Sequence, residues 1–161
     1  KVFRVFFMHF GLYANVSHEN LAELLLMKLD KTKKQVVGAL GEDLVAKYLR
    51  NKGFSILVRN YRKKFGEIDI VAEERGKTHF VEVKTVSCEN VKDVTQEKLD
   101  TYRPEDNVHS WKLRRLSNAI QVYLSEKSYG EEKEWQFDVV TVLLDVENKV
   151  ARIKHIKDII L

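Results

Sequence analysis

FGEIDIVAEERGKTHFVEVKT, from Phe65 to Thr85, is the stretch that decides the fold. Glu67 to Ala72 and Thr78 to Lys84 each alternate apolar with other residues, the two-residue period of a strand. Between them Glu73 to Lys77 is polar and carries Gly76, which marks the turn of a hairpin. Three charges break an otherwise ordinary pattern. Asp69 stands mid-strand between Ile68 and Ile70, against the β-propensity of aspartate. Glu82 and Lys84 flank Val83 on the second strand. A local rule broken inside a strong element points to a functional site.

Upstream, Phe54 to Tyr61 reads as a strand, joined to the hairpin by a basic turn at Arg62, Lys63 and Lys64. A helix precedes it, from about Thr32 to Asn51, and Gly53 closes it. Its apolar stripe is Val36, Val37, Leu40, Leu44, Val45, Tyr48 and Leu49, and Glu42 lies near that stripe rather than opposite it. Gly38 and Gly41 are poor helix formers and predict close approach of another backbone. Residues 1–34 are expected to form an N-terminal extension and 35–161 the main domain. The first 16 residues are aromatic-rich without a clear period; they either pack on the body as a strand or stand apart from it. A helix capped by Ser17 is expected over about 17–30.

Downstream, Thr85 to Ser110 is polar and holds the only proline, Pro104. It predicts a functional or mobile loop, with a short helix at Asp93–Leu99. Trp111 to Ser125 predicts a helix that buries Trp111, Leu113, Leu116, Ile120, Tyr123 and Leu124, while Lys112, Arg114 and Arg115 project elsewhere. Trp135 to Leu143 and Val150 to Ile156 predict two further strands about a turn at Asp145 to Lys149, with a short helical end after them. Short turns make strand neighbours antiparallel, whereas the strand after the Trp111 helix returns parallel through a crossover. The expected fold is α/β, a mixed central sheet flanked by helices.

Composition narrows the class. Of 161 residues 44% are apolar and 32% charged, which suits a globular protein and excludes a disordered one. The formal net charge of +4, with basic clusters at Lys31–Lys34, Arg59–Lys64 and Lys112–Arg115, favours an anionic partner such as nucleic acid. A single cysteine, Cys88, rules out an internal disulfide and a cysteine-rich zinc site, and suits a reducing, cytoplasmic compartment. No apolar run approaches the roughly 20 residues of a membrane span, so no membrane partner is expected. The opening VFRVFFMHFGLYANV is interrupted by Arg4 and His9 and lacks a small-residue cleavage site, unlike a signal peptide.

The three hairpin charges suggest a chemistry. Two carboxylates converging from paired strands, Asp69 and Glu82, repel unless a cation lies between them, and Mg2+ or Mn2+ takes such oxygen ligands. Lys84 projects on the face of Glu82, where a lysine orients an attacking water and stabilises charge on a phosphate. Glu42 could complete the shell directly or through water. Together these pieces describe metal-assisted hydrolysis of a phosphodiester. Singly, each is also what a solvated strand face holds. Other motifs fail: Gly76-Lys77-Thr78 has Val71 where a phosphate loop needs glycine, and His18-Glu19 is followed by Ala22 rather than a zinc-binding histidine. His9, His18, His79, His109 and His155 are scattered and read as surface or core residues.

Four segments carry a resemblance: GEDLVAKYL (Gly41 to Leu49), GFSILVRNYR (Gly53 to Arg62), GEIDIVA (Gly66 to Ala72) and FVEVKT (Phe80 to Thr85), continued by KLRRL (Lys112 to Leu116) and FDVV (Phe137 to Val140). Over about Gln35 to Ile156 the chain resembles the YraN-like family of bacterial proteins, placed in the restriction-endonuclease-like superfamily with archaeal Holliday-junction resolvases. The resemblance implies an α-β-β-β-α-β core and the PD-(D/E)XK signature. On it, Asp69 and Glu82 are acidic metal ligands, Lys84 is the catalytic lysine and Glu42 matches the helix glutamate of many such nucleases. It implies a Mg2+- or Mn2+-dependent endonuclease acting on DNA, with branched or flapped DNA as one expected substrate. On that hypothesis Arg59, Arg62, Lys63, Lys64, Lys112, Arg114 and Arg115 would contact phosphates, and Trp111 or Tyr61 would either stack on an unpaired base or serve the core. Resolvases of this fold act as homodimers, so a second copy is one expected partner. Departures are Ile68 in place of the signature proline, Val86 where relatives carry a basic residue, and a longer segment from Ser87 to Ser110. Residues 1–26 lie outside the similarity. Two alternatives stay open: a non-catalytic nucleic-acid-binding module of the same fold, and a protein-interaction domain in which the charges form a structural ion cluster.

Overall fold

A computed structural model of the chain describes residues 3–7, 14–16, 33–88, 110–127, 129 and 133–160. The helices expected at 17–30 and 93–99 fall outside them, as does most of the segment before Ser110. Strands β1 (Phe3–Phe7) and β2 (Ala14–Val16) precede helix α1 (Lys33–Asn51). Then come β3 (Ser55–Lys63), β4 (Gly66–Glu74), β5 (Lys77–Ser87), α2 (Ser110–Glu126), β6 (Trp135–Asp145) and β7 (Val150–Ile156).

The seven strands form one mixed sheet in the order β2-β1-β7-β6-β5-β4-β3. β3, β4 and β5 meander antiparallel, β5 pairs parallel with β6 from Thr78↔Trp135 to Ser87↔Leu144, and β7 returns antiparallel. That matches the expected turns and crossover. β1 adds parallel to β7, so of the two alternatives for the first residues the strand is the one found.

The sheet separates two cores on opposite faces. On one, Leu40, Leu44, Val45 and Leu49 of α1 pack against Ile70, Val81, Val140 and Val142. On the other, Leu116, Ala119, Ile120 and Tyr123 of α2 pack against Val71, Phe80, Phe137 and Val139. Neighbouring residues such as Phe80 and Val81 therefore belong to different cores. This is why the inner strand β6 reads as a mostly apolar run.

Two glycines seat the helices. A Cβ on Gly41 would stand 1.8 Å from Thr85 Oγ1 on β5, so α1 lies directly against that strand. A Cβ on Gly66 would stand 2.3 Å from the backbone oxygen of Arg115, so α2 lies against the start of β4. The expectation for Gly41 holds, with a side chain as the neighbour. For Gly38 it does not: among the described residues nothing comes within 4 Å of a Cβ placed there.

Two other expectations fail. Trp111 is 59% exposed because it lies on the side of α2 that also carries the exposed Arg114, Arg115 and Asn118, away from the buried Leu116, Ala119, Ile120 and Tyr123. Residues 157–160 are not helical; the Ile159 N–H instead donates to the Phe137 carbonyl at 2.8 Å.

Opposite outcomes are expected from the same substitution. Gly66→Ala forces α2 off β4 and should cost about 1–3 kcal/mol. Gly38→Ala meets open space in a helix and should gain roughly 0.5–1 kcal/mol. Urea denaturation of both variants checks this, and a loss at Gly38 would contradict the packing.

Candidate functional site

The site begins where the sheet forks. The β4–β5 ladder runs from Glu74↔Lys77 to Ile70↔Val81 and stops there. β5 continues along β6 to Ser87, while β4 stays with β3 to Gly66↔Lys63. The β3–β4 hairpin thus peels away from β5 at Asp69. The carboxylate takes over the missing pairing: Val83 N–H donates to Asp69 Oδ2 at 2.7 Å. The strand changes face at the same point, since Ile68 joins the α2 core and Ile70 the α1 core. Opposite Asp69, between Arg59↔Ile70 and Tyr61↔Ile68, Asn60 has φ of 52°, a left-handed conformation that asparagine tolerates.

Glu82 projects into the fork from β5 and is buried. Its Oε1 accepts from Lys84 Nζ at 2.8 Å and from Lys112 Nζ on α2. Glu42 reaches the fork from α1, where its Oε2 accepts from Asn60 Nδ2 at 3.1 Å. The two glycine contacts explain these arrivals, because Gly41 lies one residue before Glu42 and Gly66 faces the turn of α2 that carries Lys112.

Crowded charge shifts the titrations. Burial, reinforced by the Glu82 charge, pushes Asp69 up to about 7; the Val83 N–H opposes this, Glu42 adds to it and Lys112 opposes it. Burial raises Glu42 too, against the Asn60 amide and Arg59. Burial pulls Lys84 below the ordinary lysine value despite the Glu82 charge. Burial acts the same way on Lys112, but there the charge and hydrogen bond of Glu82, with Lys84 and Asp69, together outweigh it and hold the ammonium above its ordinary value.

The structure thus brings together the four residues expected at one centre, Glu42, Asp69, Glu82 and Lys84. It adds two. Lys112, expected at phosphates, is an ion-pair partner of Glu82, and Asn60 was not anticipated. Arg59 pairs with Asp43 of α1 at 2.5 Å. Arg62 pairs with Glu67 at 2.9 Å and Lys63 with Glu126 at 2.6 Å, all on the surface. Lys64, Arg114 and Arg115 are exposed. Tyr61 is not placed for stacking on a base: its ring packs edge-on to Tyr123 at 5.1 Å and its hydroxyl donates to Glu126 at 2.8 Å.

Could the fork hold a cation? Asp69 Oδ1 and Glu82 Oε2 are hard oxygen donors without a hydrogen-bond partner among the described residues. The upward shift of Asp69 comes first from its burial and then from the Glu82 charge beside it. Both features fit a hard divalent ion, which binds through one or two carboxylates and keeps several waters. Among the described residues no three His, Cys, Asp or Glu side chains gather closely enough to hold a metal ion, so any such ion would rest on the two carboxylates and solvent.

A second buried polar cluster lies elsewhere in the sheet. Asp138 on β6 is fully buried and its Oδ2 accepts from His79 Nδ1 at 2.8 Å and His155 Nε2 at 2.9 Å. Its Oδ1 accepts from Gln136 at 2.7 Å and the Asp158 N–H at 3.0 Å. Burial alone would raise this carboxyl; the hydrogen bonds from both histidines and their neighbours outweigh it and hold Asp138 well below the usual range. The two rings are satisfied core residues, flanked by Phe54 and Tyr48.

The fold and fork define an α/β protein with a mixed sheet, two helices on opposite faces and a charged site where the sheet divides. Among the described residues no helix is long and apolar enough to cross a membrane. The profile of the Uncharacterised protein family UPF0102 matches residues 41–142, which span the fork from α1 to β6. A UPF0102 protein of Persephonella marina is 33% identical over 124 residues, covering 77% of this chain and 95% of the relative. One from Corynebacterium efficiens is 38% identical over 116 residues, covering 71% and 84%. Another, from Caldanaerobacter subterraneus, is 32% identical over 131 residues, covering 80% and 97%. The chain belongs to the UPF0102 family, also called the YraN family.

Two pH-dependent outcomes follow. Between the ordinary value of 3.8 and about 7, folded Asp69 keeps a proton that the unfolded chain has lost. Stability therefore falls as pH rises through that window, and the cost is complete above it. Asp69→Asn should be more stable than the parent at pH 8, by on the order of 1–2 kcal/mol. Equal stability in denaturant at pH 8 would contradict it. Asp138 has the opposite sign: its contribution is present above its ordinary value of 3.8 and lost as pH falls below it. Asp138→Asn should cost about 2–3 kcal/mol at pH 7, a melting-temperature drop of roughly 5–10 °C. The gap should narrow as pH falls below 3.8.

Proposed function

We propose that this protein hydrolyses phosphodiester bonds in nucleic acid, DNA foremost, with Mg2+ or Mn2+ held at Asp69 and Glu82. The observation that carries the reading is the fork itself. Asp69 sits where two strands part, with Glu82 and Lys84 across from it on the strand that continues. The succession α1-β3-β4-β5-α2-β6 supports a restriction-endonuclease-like core, with Glu42 supplied by the preceding helix.

A divalent cation in this seat would place positive charge beside the scissile phosphate and make a nearby water more acidic. The protein's own residues do the rest. Lys84, held by Glu82 and shifted toward its neutral form by burial, orients the attacking water and eases removal of its proton. Lys112, held charged by Glu82, stabilises negative charge that develops on the phosphate. Glu42, positioned by Asn60, adds a carboxylate on the other side of Asp69. The exposed Lys64, Arg114 and Arg115 offer contacts to the backbone, so binding should weaken steeply with salt.

The test uses labelled linear, flapped and four-way DNA with Mg2+, with Mn2+ or with chelator. The wild type should cut only with metal. Asp69→Ala and Lys84→Ala should each lose about 100-fold or more. Binding without cutting would instead mark a non-catalytic module of the same fold. Absence of binding at low salt would sink both readings.

A further inference from the structure

Beside the fork lies a cleft of about 360 Å3, between the end of the β3–β4 hairpin and the first turns of α2. Arg62, Lys63, Glu67, Trp111, Lys112 and Arg115 line it. With Gly66 and Leu116 the lining comes to eight residues, four of them cations. Trp111 is the largest apolar side chain on the wall and is 59% exposed, on the same side of α2 as the exposed Arg115. An exposed tryptophan costs free energy that neighbouring polar residues do not recover, so its place in a basic cleft calls for an occupant with a flat face and negative charge.

We infer that this cleft takes an unpaired nucleotide, its base stacked on Trp111 and its phosphates met by Arg62, Lys63 and Arg115. The inference rests on the nucleic-acid reading above and deepens it: the preferred substrate carries single-stranded nucleotides next to the bond that is cut. The volume lies at the lower end of small-ligand sites, enough for one nucleotide and too small for a duplex. Lys112 joins the two places, since it lines the cleft and also contacts Glu82. The ion pairs that engage Arg62 and Lys63 are on the surface, where such pairs are weak and are readily exchanged for a phosphate. A paired base keeps both faces covered in its stack and presents none to Trp111, which is the source of the selectivity.

The chain has two tryptophans, so Trp135→Phe leaves Trp111 as the sole reporter of tryptophan fluorescence. In that background, with chelator to keep substrates whole, oligo(dT) of 12 nucleotides and a 12-base-pair duplex are titrated at low salt. Oligo(dT) should quench the emission strongly and the duplex little. In the parent background, Trp111→Ala should weaken oligo(dT) binding by roughly 5- to 100-fold and leave duplex binding within about twofold. Trp111→Phe should retain most of the single-strand affinity, because a phenyl ring still stacks. Equal quenching by both probes, equal loss on both, or no loss in Trp111→Ala would overturn the inference. The nuclease reading fails separately: strands that bind and quench but are never cut with metal remove the catalysis and leave the stacking site standing. Failure of both probes to bind overturns the two together.

Discussion

The hydrogen bond from the Val83 N–H to Asp69 Oδ2 is the contact on which the rest of the site depends. A sheet that divides must leave backbone groups without ladder partners, and a buried N–H left unpaired is costly. Here the side chain of the departing strand satisfies the backbone of the strand that continues. A short acceptor is needed, and an aspartate adds a charge that an asparagine would not. One residue therefore closes the fork structurally and loads it electrostatically. The odd position of Asp69 in its strand, the left-handed Asn60 opposite and the change of face between Ile68 and Ile70 are consequences of that division.

What surrounds the fork is a balance of charges brought in from both faces. Glu42 comes from α1, Glu82 and Lys84 from β5, and Lys112 from α2. Three carboxylates meet two ammonium groups, and burial, reinforced by the Glu82 charge, raises Asp69 toward neutrality. Neither helix could deliver its residue with a bulkier neighbour at the crossing point. Thr85 closes the space beside Gly41, and the Arg115 carbonyl closes that beside Gly66. The glycines thus act on the chemistry through helix position, without touching the charged groups themselves.

Much of this was legible in the chain. Alternation about Gly76 gave the hairpin, the apolar stripes gave both helices, and the misplaced Asp69 with Glu82 and Lys84 marked the centre. Lys112 was read as a surface cation because a helical lysine looks the same in sequence whether it meets solvent or a carboxylate 30 residues away. Asn60 was silent, since nothing local distinguishes a strand residue that faces a fork. Trp111 looks like a core residue by its type alone, yet it shares the exposed side of α2 with Arg114, Arg115 and Asn118, and the stripe that is buried runs through Leu116, Ala119, Ile120 and Tyr123. Gly38 and Gly41 looked alike, yet only one meets a neighbour among the described residues. Asp138 with His79 and His155 escaped notice because the three come together only through the pairing of β5, β6 and β7.

The parallel pairing of β5 with β6 has a kinetic consequence. The β3–β4–β5 meander contains only short connections, so Asp69 and Glu82 can approach one another early, once two tight turns have formed. β6 and Lys112 arrive from across a long excursion, and closing such a loop is slow compared with forming a hairpin. During that interval one side of β5 stands unpaired, and its run of Phe80, Val81 and Val83 is open to pairing with another chain. The acidic pair gains its lysine from α2 only after the crossover has docked, so the charge distribution of the centre is among the last features of the molecule to mature.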